Sequence, residues 1–327
     1  MLVITKMARY SDSTSREFIM YKYLSALLIT LIPFVSVSVS SLATQSALTD
    51  FGSNPGELTA SYFQGAKGNK NLIVLLHGCV QQGELLAQQS GLLALAKQKK
   101  FSLLMPQQST SNNIKGCFNW FSQQDIEKNQ GESLSIKNMI STVNAEHNFS
   151  NIYIIGLSAG GAMASSMLVN YPELFTAGAI VAGIPYPCAD NLITAIACMR
   201  SGPSQEPAQL TKRVKQITPA QTQWPPLSIW TGNQDLVVNP KNSQQLAIHW
   251  AQLSQSSQQP IISNYSGYQI SQWQGTNKRI NVELIEIDNM DHGIAVAPTL
   301  ENGGSEAAFV IKTPISTVLY LLEAWKI

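Results

Sequence analysis

The chain has 327 residues, a net charge of +1 and 44% apolar residues, enough for one sizeable core with at most a small lid. The near-zero charge excludes recruitment to nucleic acid or to an anionic membrane surface by bulk electrostatics. Only 13% of residues are charged, about half the usual share, and Gln, Ser and Asn fill the gap to give an uncharged polar surface.

At the N-terminus, Lys6, Arg9, Arg16 and Lys22 precede an apolar stretch from Leu24 to Val39. Ser41-Leu42-Ala43 then offers small residues at both positions that a signal peptidase reads. Residues 1–43 are therefore expected to be a signal peptide, with Met20 as an alternative start, and the mature chain to begin near Thr44. Pro33 and the run Ser36-Val-Ser-Val-Ser40 leave the purely apolar part too short to span hydrocarbon comfortably. The expected location is secreted or periplasmic, with no stable membrane insertion after cleavage.

Beyond the leader, short apolar runs alternate with helical patterns. Asn71–Leu76 and Phe101–Met105 read as buried strands, with Leu92, Leu95 and Ala96 at helical spacing between them. Ile136, Met139, Ile140 and Val143 mark one face of a helix that precedes the strand Ile152–Ile155. Ala177–Ala182, Leu227–Trp230 and Val282–Ile287 continue the strand series, and Ile315–Trp325 reads as a closing helix. Alternation of this kind implies βαβ units and a mostly parallel sheet covered on both faces. Residues 109–132, 185–224 and 265–279 show little periodicity and are expected to form loops above the sheet, where a substrate surface would lie.

The sharpest motif is Gly156-Leu157-Ser158-Ala159-Gly160-Gly161. It follows a β-branched strand directly and runs into a helix pattern through Met163, Met167 and Leu168. A strand that turns so sharply into a helix needs small residues, and it holds the serine hydroxyl exposed above the sheet. That context identifies the α/β-hydrolase fold, with residues 44–327 as a single catalytic domain and Ser158 as the expected nucleophile. A serine needs a base, itself oriented by an acid, and in this fold the acid and the histidine follow the serine in chain order. Of the two later histidines, His249 lies in a helix-like run, whereas His292 sits in a turn straight after a strand. His292 is therefore the expected base.

Asp235 stands just beyond the strand Leu227–Trp230 and is the expected acid. Asp291 is adjacent to His292, and neighbouring side chains in a turn rarely aim at each other; Asp288 suits a turn cap. The oxyanion of a tetrahedral intermediate needs preset donors. The backbone N–H of Ala159 supplies one, and the loop His77-Gly78-Cys79-Val80 after the first strand is expected to supply the other through Cys79. His77 precedes the nucleophile and reads as structural.

Cys79, Cys117, Cys188 and Cys198 are even in number and follow the leader, which suits two disulfides in an oxidising compartment. Three pairings are open; Cys79–Cys117 with Cys188–Cys198 is favoured, the second closing a short loop. No Cys-x-x-Cys pair or nucleotide-binding glycine pattern occurs beyond the turn at Ser158, so no metal and no cofactor is expected. Trp120, Phe118, Phe121, Trp224, Trp250 and Trp273 are available to line an apolar groove, and Trp120, close to Cys117, is the candidate for substrate binding.

An ordered set of motifs carries a wider resemblance: His77-Gly-Cys79 with Gln81, Cys117-Phe-Asn-Trp-Phe121, Gly131-Glu132, Gly156–Met163, Tyr171-Pro-Glu173, Ala182-Gly-Ile-Pro-Tyr186 and Ile229-Trp-Thr-Gly232. From about Gly56 onward the chain resembles the poly(3-hydroxybutyrate) depolymerase family of esterases, which is similar to the feruloyl and acetylxylan esterases. The resemblance implies Ser158 as nucleophile, Asp235 as acid, His292 as base, the amides of Cys79 and Ala159 as oxyanion donors, and disulfides Cys79–Cys117 and Cys188–Cys198. It also implies a small or oligomeric ester as the partner, with 3-hydroxybutyrate oligomers or polyester first and a feruloyl or acetylxylan substrate second. Two departures stand out. Polymer-degrading members often carry a linker and a separate binding module, for which no room is expected here, and Thr231 stands where relatives commonly show His. A third reading, an inactive binding protein on the same scaffold, is opposed by Ser158, Asp235 and His292 standing intact in the right order.

Overall fold

The computed structural model describes residues 45–218 and 223–327; the signal-peptide expectation falls on residues outside these. In chain order the elements are β1 (Gln45–Ala47), β2 (Thr59–Phe63), β3 (Asn71–Leu76), α1 (Gly83–Gln89), α2 (Leu92–Lys99), β4 (Ser102–Gln107), α3 (Gln123–Ile126), α4 (Gly131–His147), β5 (Asn151–Leu157), α5 (Ala159–Asn170) and β6 (Ala177–Val181). They continue with α6 (Leu192–Ser201), α7 (Pro207–Ile217), β7 (Leu227–Gly232), α8 (Lys241–Leu253), β8 (Ile261–Tyr265), β9 (Tyr268–Gln274), β10 (Ile280–Ile287), β11 (Ile294–Val296), β12 (Val310–Lys312) and α9 (Thr317–Ala324).

One ten-stranded sheet runs in the order β1-β2-β4-β3-β5-β6-β7-β10-β9-β8. Strands β4 to β10 in that order pair in parallel, and the two flanks are antiparallel. This is the α/β-hydrolase fold, a large mostly parallel sheet with helices on both faces.

Strand alternation sorts the core. Leu72, Val74 and Leu76 of β3 join Ile152 and Ile154 of β5 in a cluster with Ile136, Met139 and Met163 from α4 and α5. Ile73 and Leu75 point the other way, into a cluster with Tyr153, Ile155, Leu92 of α2, and Val318 and Leu321 of α9. Continuous apolar runs such as β3 are what a strand buried on both faces requires, and each fully buried aliphatic side chain contributes about 1.5–3 kcal/mol.

The strands and helices expected from periodicity lie where they were expected, within a few residues. The three aperiodic stretches differ from one another. Residues 109–132 form an irregular segment broken by the single turn of α3 and ending in the start of α4, while residues 185–224 contain the helices α6 and α7. Residues 265–279 do not overlie the sheet at all. They contain β9, which joins β8 in an antiparallel hairpin at the sheet edge, with Ile270 and Trp273 buried.

Candidate active site

Four of the parallel strands deliver one functional group each at their carboxyl ends, which is where open α/β sheets form their ligand crevices. Ser158 stands alone between β5 and α5, with φ 56° and ψ −118°. Such a backbone costs a non-glycine residue about 1–3 kcal/mol and persists only where the surroundings enforce it. Close backbone approach does the enforcing. A Cβ on Gly156 would lie 2.2 Å from the Gly160 carbonyl oxygen, and one on Gly160 would lie 2.3 Å from that of Leu76. The Ser158 N–H donates to the Val181 carbonyl of β6 at 2.9 Å, which fixes the turn from the side.

His292, in the loop after β10, bridges two groups. The Ser158 hydroxyl lies 2.9 Å from Nε2, and Nδ1 lies 2.7 Å from Asp235 Oδ2. With Asp235 as acceptor, the ring carries its proton on Nδ1 and offers Nε2 to the serine. Asp235 is 5% exposed, and its other oxygen accepts the N–H groups of Val237 and Val238, each at 2.8 Å. Both carboxylate oxygens are thus engaged and the side chain is held on two sides.

The acid and histidine loops are stitched to each other. The Gln234 N–H donates to the Met290 carbonyl at 3.0 Å and the Asn289 N–H to Asn233 Oδ1 at 2.9 Å. Asp288 accepts from Asn233 Nδ2 at 3.1 Å. Asp291 accepts from its neighbour's amide, His292 N–H, at 2.7 Å and from Leu236 N–H at 3.3 Å. The two rival aspartates therefore staple loops rather than bond the imidazole. His249 is a core side chain: buried, bonded to Thr211 at 2.9 Å, and pushed down by burial to about 4.

The loop expected to supply an oxyanion donor is built differently. The Gly78 N–H is used by Gln81 Oε1 at 2.8 Å, and the Val80 N–H by the Lys115 carbonyl at 2.8 Å. Between them, the Cys79 N–H has no acceptor among the described residues, and neither has Ala159 at the first position of α5, where helix amides lack an internal partner. His77 is fully buried against Phe118 and neutral, its pKa lowered to about 4 by burial. Its Nδ1–H donates to the Gly78 carbonyl at 2.7 Å, and Nε2 accepts the Gln108 N–H at 3.1 Å. A peptide is planar and trans, so anchoring the Gly78 carbonyl also sets the direction of the Cys79 N–H. The disulfide Cys79–Cys117 ties the same loop to the segment carrying Trp120, and Cys188–Cys198 tethers α6.

Behind this loop lies Glu132, which sequence reasoning noted only as part of a motif. It is fully buried. Its oxygens accept from Asn119 N–H and Nδ2, each at 2.9 Å, and from Gln108 Nε2 at 2.5 Å. Burial pushes its carboxyl up to about 8 against the pull of those donors. Glu132 thereby holds both ends of the segment from Gln108 to Asn119.

Ser158 opens into a cavity of about 190 Å³, walled by Trp120, Ile184, Met199, Val237, Val238 and Phe309 beside the Cys79 loop. Of the six aromatics expected to be available for a groove, Trp120 alone lines this cavity. Phe118, Trp250 and Trp273 are core residues, with Trp224 packed on that core and Phe121 edge-on against Trp120. A larger cleft of about 350 Å³ lies beside the Cys188–Cys198 bridge, away from Ser158. Among the described residues, no group of three or more His, Cys, Asp and Glu side chains is placed to hold a metal ion.

A nucleophile turn on an α/β-hydrolase sheet, with a histidine bonded to its serine and an aspartate behind it, marks an α/β hydrolase. Residues 61–258 match the family model described as Esterase PHB depolymerase. The chain belongs to that family and is a carboxylic ester hydrolase. The poly(3-hydroxyalkanoate) depolymerase C of Paucimonas lemoignei is 33% identical over 295 residues, 88% of this chain and 71% of that protein. Acetylxylan esterase A of Aspergillus oryzae is 26% identical over 262 residues, 76% of this chain and 84% of that protein. Among solved structures, an acetyl xylan esterase from Aspergillus awamori superposes with a TM-score of 0.69 at 22% identity, over 76% of this chain and 94% of that one. At that identity the superposition speaks to the fold.

Proposed function

We propose that this chain is an exported serine esterase that cleaves 3-hydroxyalkanoate oligomers or polyester through an acyl-enzyme on Ser158. The observation that carries the reading is His292, bonded at once to Asp235 at 2.7 Å and to Ser158 at 2.9 Å. In the mechanism this supports, His292 Nε2 takes the Ser158 proton as the oxygen attacks the ester carbonyl. The amides of Cys79 and Ala159 receive the oxyanion, each such donor being worth about 10²–10³ in kcat. His292 then gives its proton to the leaving alcohol, and a water activated by the same nitrogen releases the acid. Asp235 holds the tautomer and stabilises the imidazolium without taking the proton.

The cavity wall supports this substrate. Aliphatic side chains with Trp120 suit a short, neutral, branched acyl unit, and no Asp, Glu, Lys or Arg side chain lines the space. A sugar would leave hydroxyl groups unpaired against such a wall. The alternative, a feruloyl or acetylxylan substrate, draws on the acetylxylan esterases among the relatives and on Trp120 as a stacking face. The two disulfides support an oxidising compartment, and we read residues 1–43 as a leader and 44–327 as the working catalytic domain. Among the described residues no helix is long and apolar enough to cross a membrane.

The test is an ester panel with wild type and Ser158→Ala: p-nitrophenyl acetate to octanoate, hydroxybutyrate oligomers, methyl ferulate and acetylated xylan. Wild type is expected to prefer the hydroxybutyrate oligomers, and the variant to lose ~10³-fold or more. Preference for ferulate or xylan acetate overturns the substrate. Equal inertness of both proteins on every ester overturns the catalytic reading in favour of a binding scaffold.

A further inference from the structure

The cavity at Ser158, about 190 Å³, falls short of the roughly 300–1,000 Å³ that holds a drug-sized ligand. It accommodates the reacting unit of an oligomeric ester and little more, so the rest of such a chain must lie elsewhere. A second depression of about 820 Å³ runs between β2 and residues 105–116, and it shares Val80 and Gln81 with the catalytic cavity. The two spaces adjoin at those residues.

Val80 is the unusual residue on that boundary. It is β-branched yet has φ 57°, a genuine outlier for such a side chain, and it is 66% exposed. The Lys115 carbonyl at 2.8 Å and the adjoining Cys79–Cys117 disulfide hold it in that conformation. Strain of this kind, kept on an exposed apolar side chain, is a pointer to function rather than to packing. Ile114, 88% exposed, lines the groove beyond it.

The remaining wall is mostly neutral and rich in donors. Gln82, Ser109 and Thr110 line it, with Gln107, whose amide donates to the Gln108 carbonyl at 2.9 Å, and Gln81, whose Oε1 is taken by Gly78, keeps its amide N–H groups without an acceptor among the described residues. Its only charged side chains are Glu84, bonded to Ser61, and Lys115. A polyester repeat offers acceptors and apolar carbons but no donors, and that matches a wall of amide and hydroxyl donors set beside exposed aliphatic groups.

We propose that the groove between β2 and residues 105–116 binds the repeat units of a neutral aliphatic oligoester that extend past the reacting one, with Val80 as the ridge over which the chain passes. The proposal rests on the ester-oligomer reading above and adds where the chain lies. Thr110→Trp fills the groove at an exposed loop position that does not line the cavity at Ser158, and Ile114→Ser removes its exposed apolar contact. The substrates are 3-hydroxybutyrate dimer, trimer and tetramer, with p-nitrophenyl acetate as the ester that fits the catalytic cavity alone.

Wild-type kcat/KM is expected to rise from dimer to tetramer, because binding energy from remote parts of a substrate supports the chemical step. Thr110→Trp should lower kcat/KM on the tetramer roughly tenfold and Ile114→Ser less, with p-nitrophenyl acetate turnover kept within about twofold. That last figure also reports that the variants are folded. Equal wild-type rates on dimer and tetramer, or an unchanged tetramer rate in Thr110→Trp, overturn the groove while leaving the esterase reading standing. Wild type that turns over p-nitrophenyl acetate but no hydroxybutyrate oligomer overturns the substrate reading and the groove with it.

Discussion

The loops carrying Asp235 and His292 are stitched together by polar groups at the surface, whereas the loop carrying Cys79 is held from beneath by buried ones. On the first side Asn233, Gln234, Asp288, Asn289 and Asp291 exchange bonds in which most partners reach water. On the second, Glu132 and His77 have no exposed surface, Gln108 almost none, and Phe118 packs on the His77 ring. A surface bond that is lost is largely replaced by water, and its net worth is about 0.5–1.5 kcal/mol. A buried network that loses a member leaves its partners unsatisfied, and the cost is shared by every group in the chain. The histidine side of the site should therefore tolerate single polar changes at its rim, and the Cys79 side should not.

Predictions that bear on this contrast run from large to small. Asp235→Asn strikes the one buried link on the first side. It should fold normally, yet lose about 10⁴-fold in kcat by favouring the wrong imidazole tautomer, read from steady-state kinetics on a p-nitrophenyl ester. A loss no larger than that of a rim variant would break the contrast.

Glu132→Gln tests the buried side through pH. The carboxyl is raised from 4.5 to about 8 in the folded chain, so between those values the folded state holds a proton that the unfolded state has released. Its stabilising contribution is complete below about 4.5 and is lost as the pH rises through about 8. Thermal unfolding from pH 5 to pH 8.5 should show wild type ahead of the variant by most at the acid end, with the gap closing toward alkaline pH. A gap independent of pH would assign Glu132 a packing role alone.

Asn233→Ala removes two of the surface stitches. It should lower stability by about 1 kcal/mol and change kcat by less than about threefold, measured by urea unfolding and kinetics. A loss near that of Asp235→Asn would show the surface stitching to matter as much as the buried relay.

What the sequence reveals follows the same division. The turn at Ser158 is legible because its requirements are local: a buried strand, glycines where backbones meet, and a helix start, all within a dozen residues. His292 and Asp235 are legible from chain order and from their places after strands. The pairing of Cys79 with Cys117 needed the family resemblance, since spacing alone left three choices. Glu132, Gln108 and Asn119 come together only through tertiary burial, and a polar residue destined for the core looks in sequence like one destined for water.

The hairpin β8–β9 was hidden by its glutamines. Tyr268-Gln-Ile-Ser-Gln-Trp273 alternates only partly, and its partner β8, the edge strand, is mostly exposed. Helix α7 is amphipathic, but its buried face is only Leu210, Thr211 and Val214, a stripe too narrow to stand out among so many polar neighbours. The tryptophans misled for the opposite reason: Trp250 and Trp273 fill the core, which is where a large apolar ring goes unless something holds it at a surface. Trp120 is held there by the bridge at Cys117 and by Glu132 through Asn119.

The central claim is that Ser158 is the nucleophile, and covalent trapping tests it most directly. The protein would be incubated with a fluorophosphonate, with residual ester hydrolysis followed against adduct mass and the labelled peptide then sequenced. One adduct per chain on Ser158, formed in step with loss of activity, is the predicted result. A label on another serine, or full activity with Ser158 modified, would contradict it.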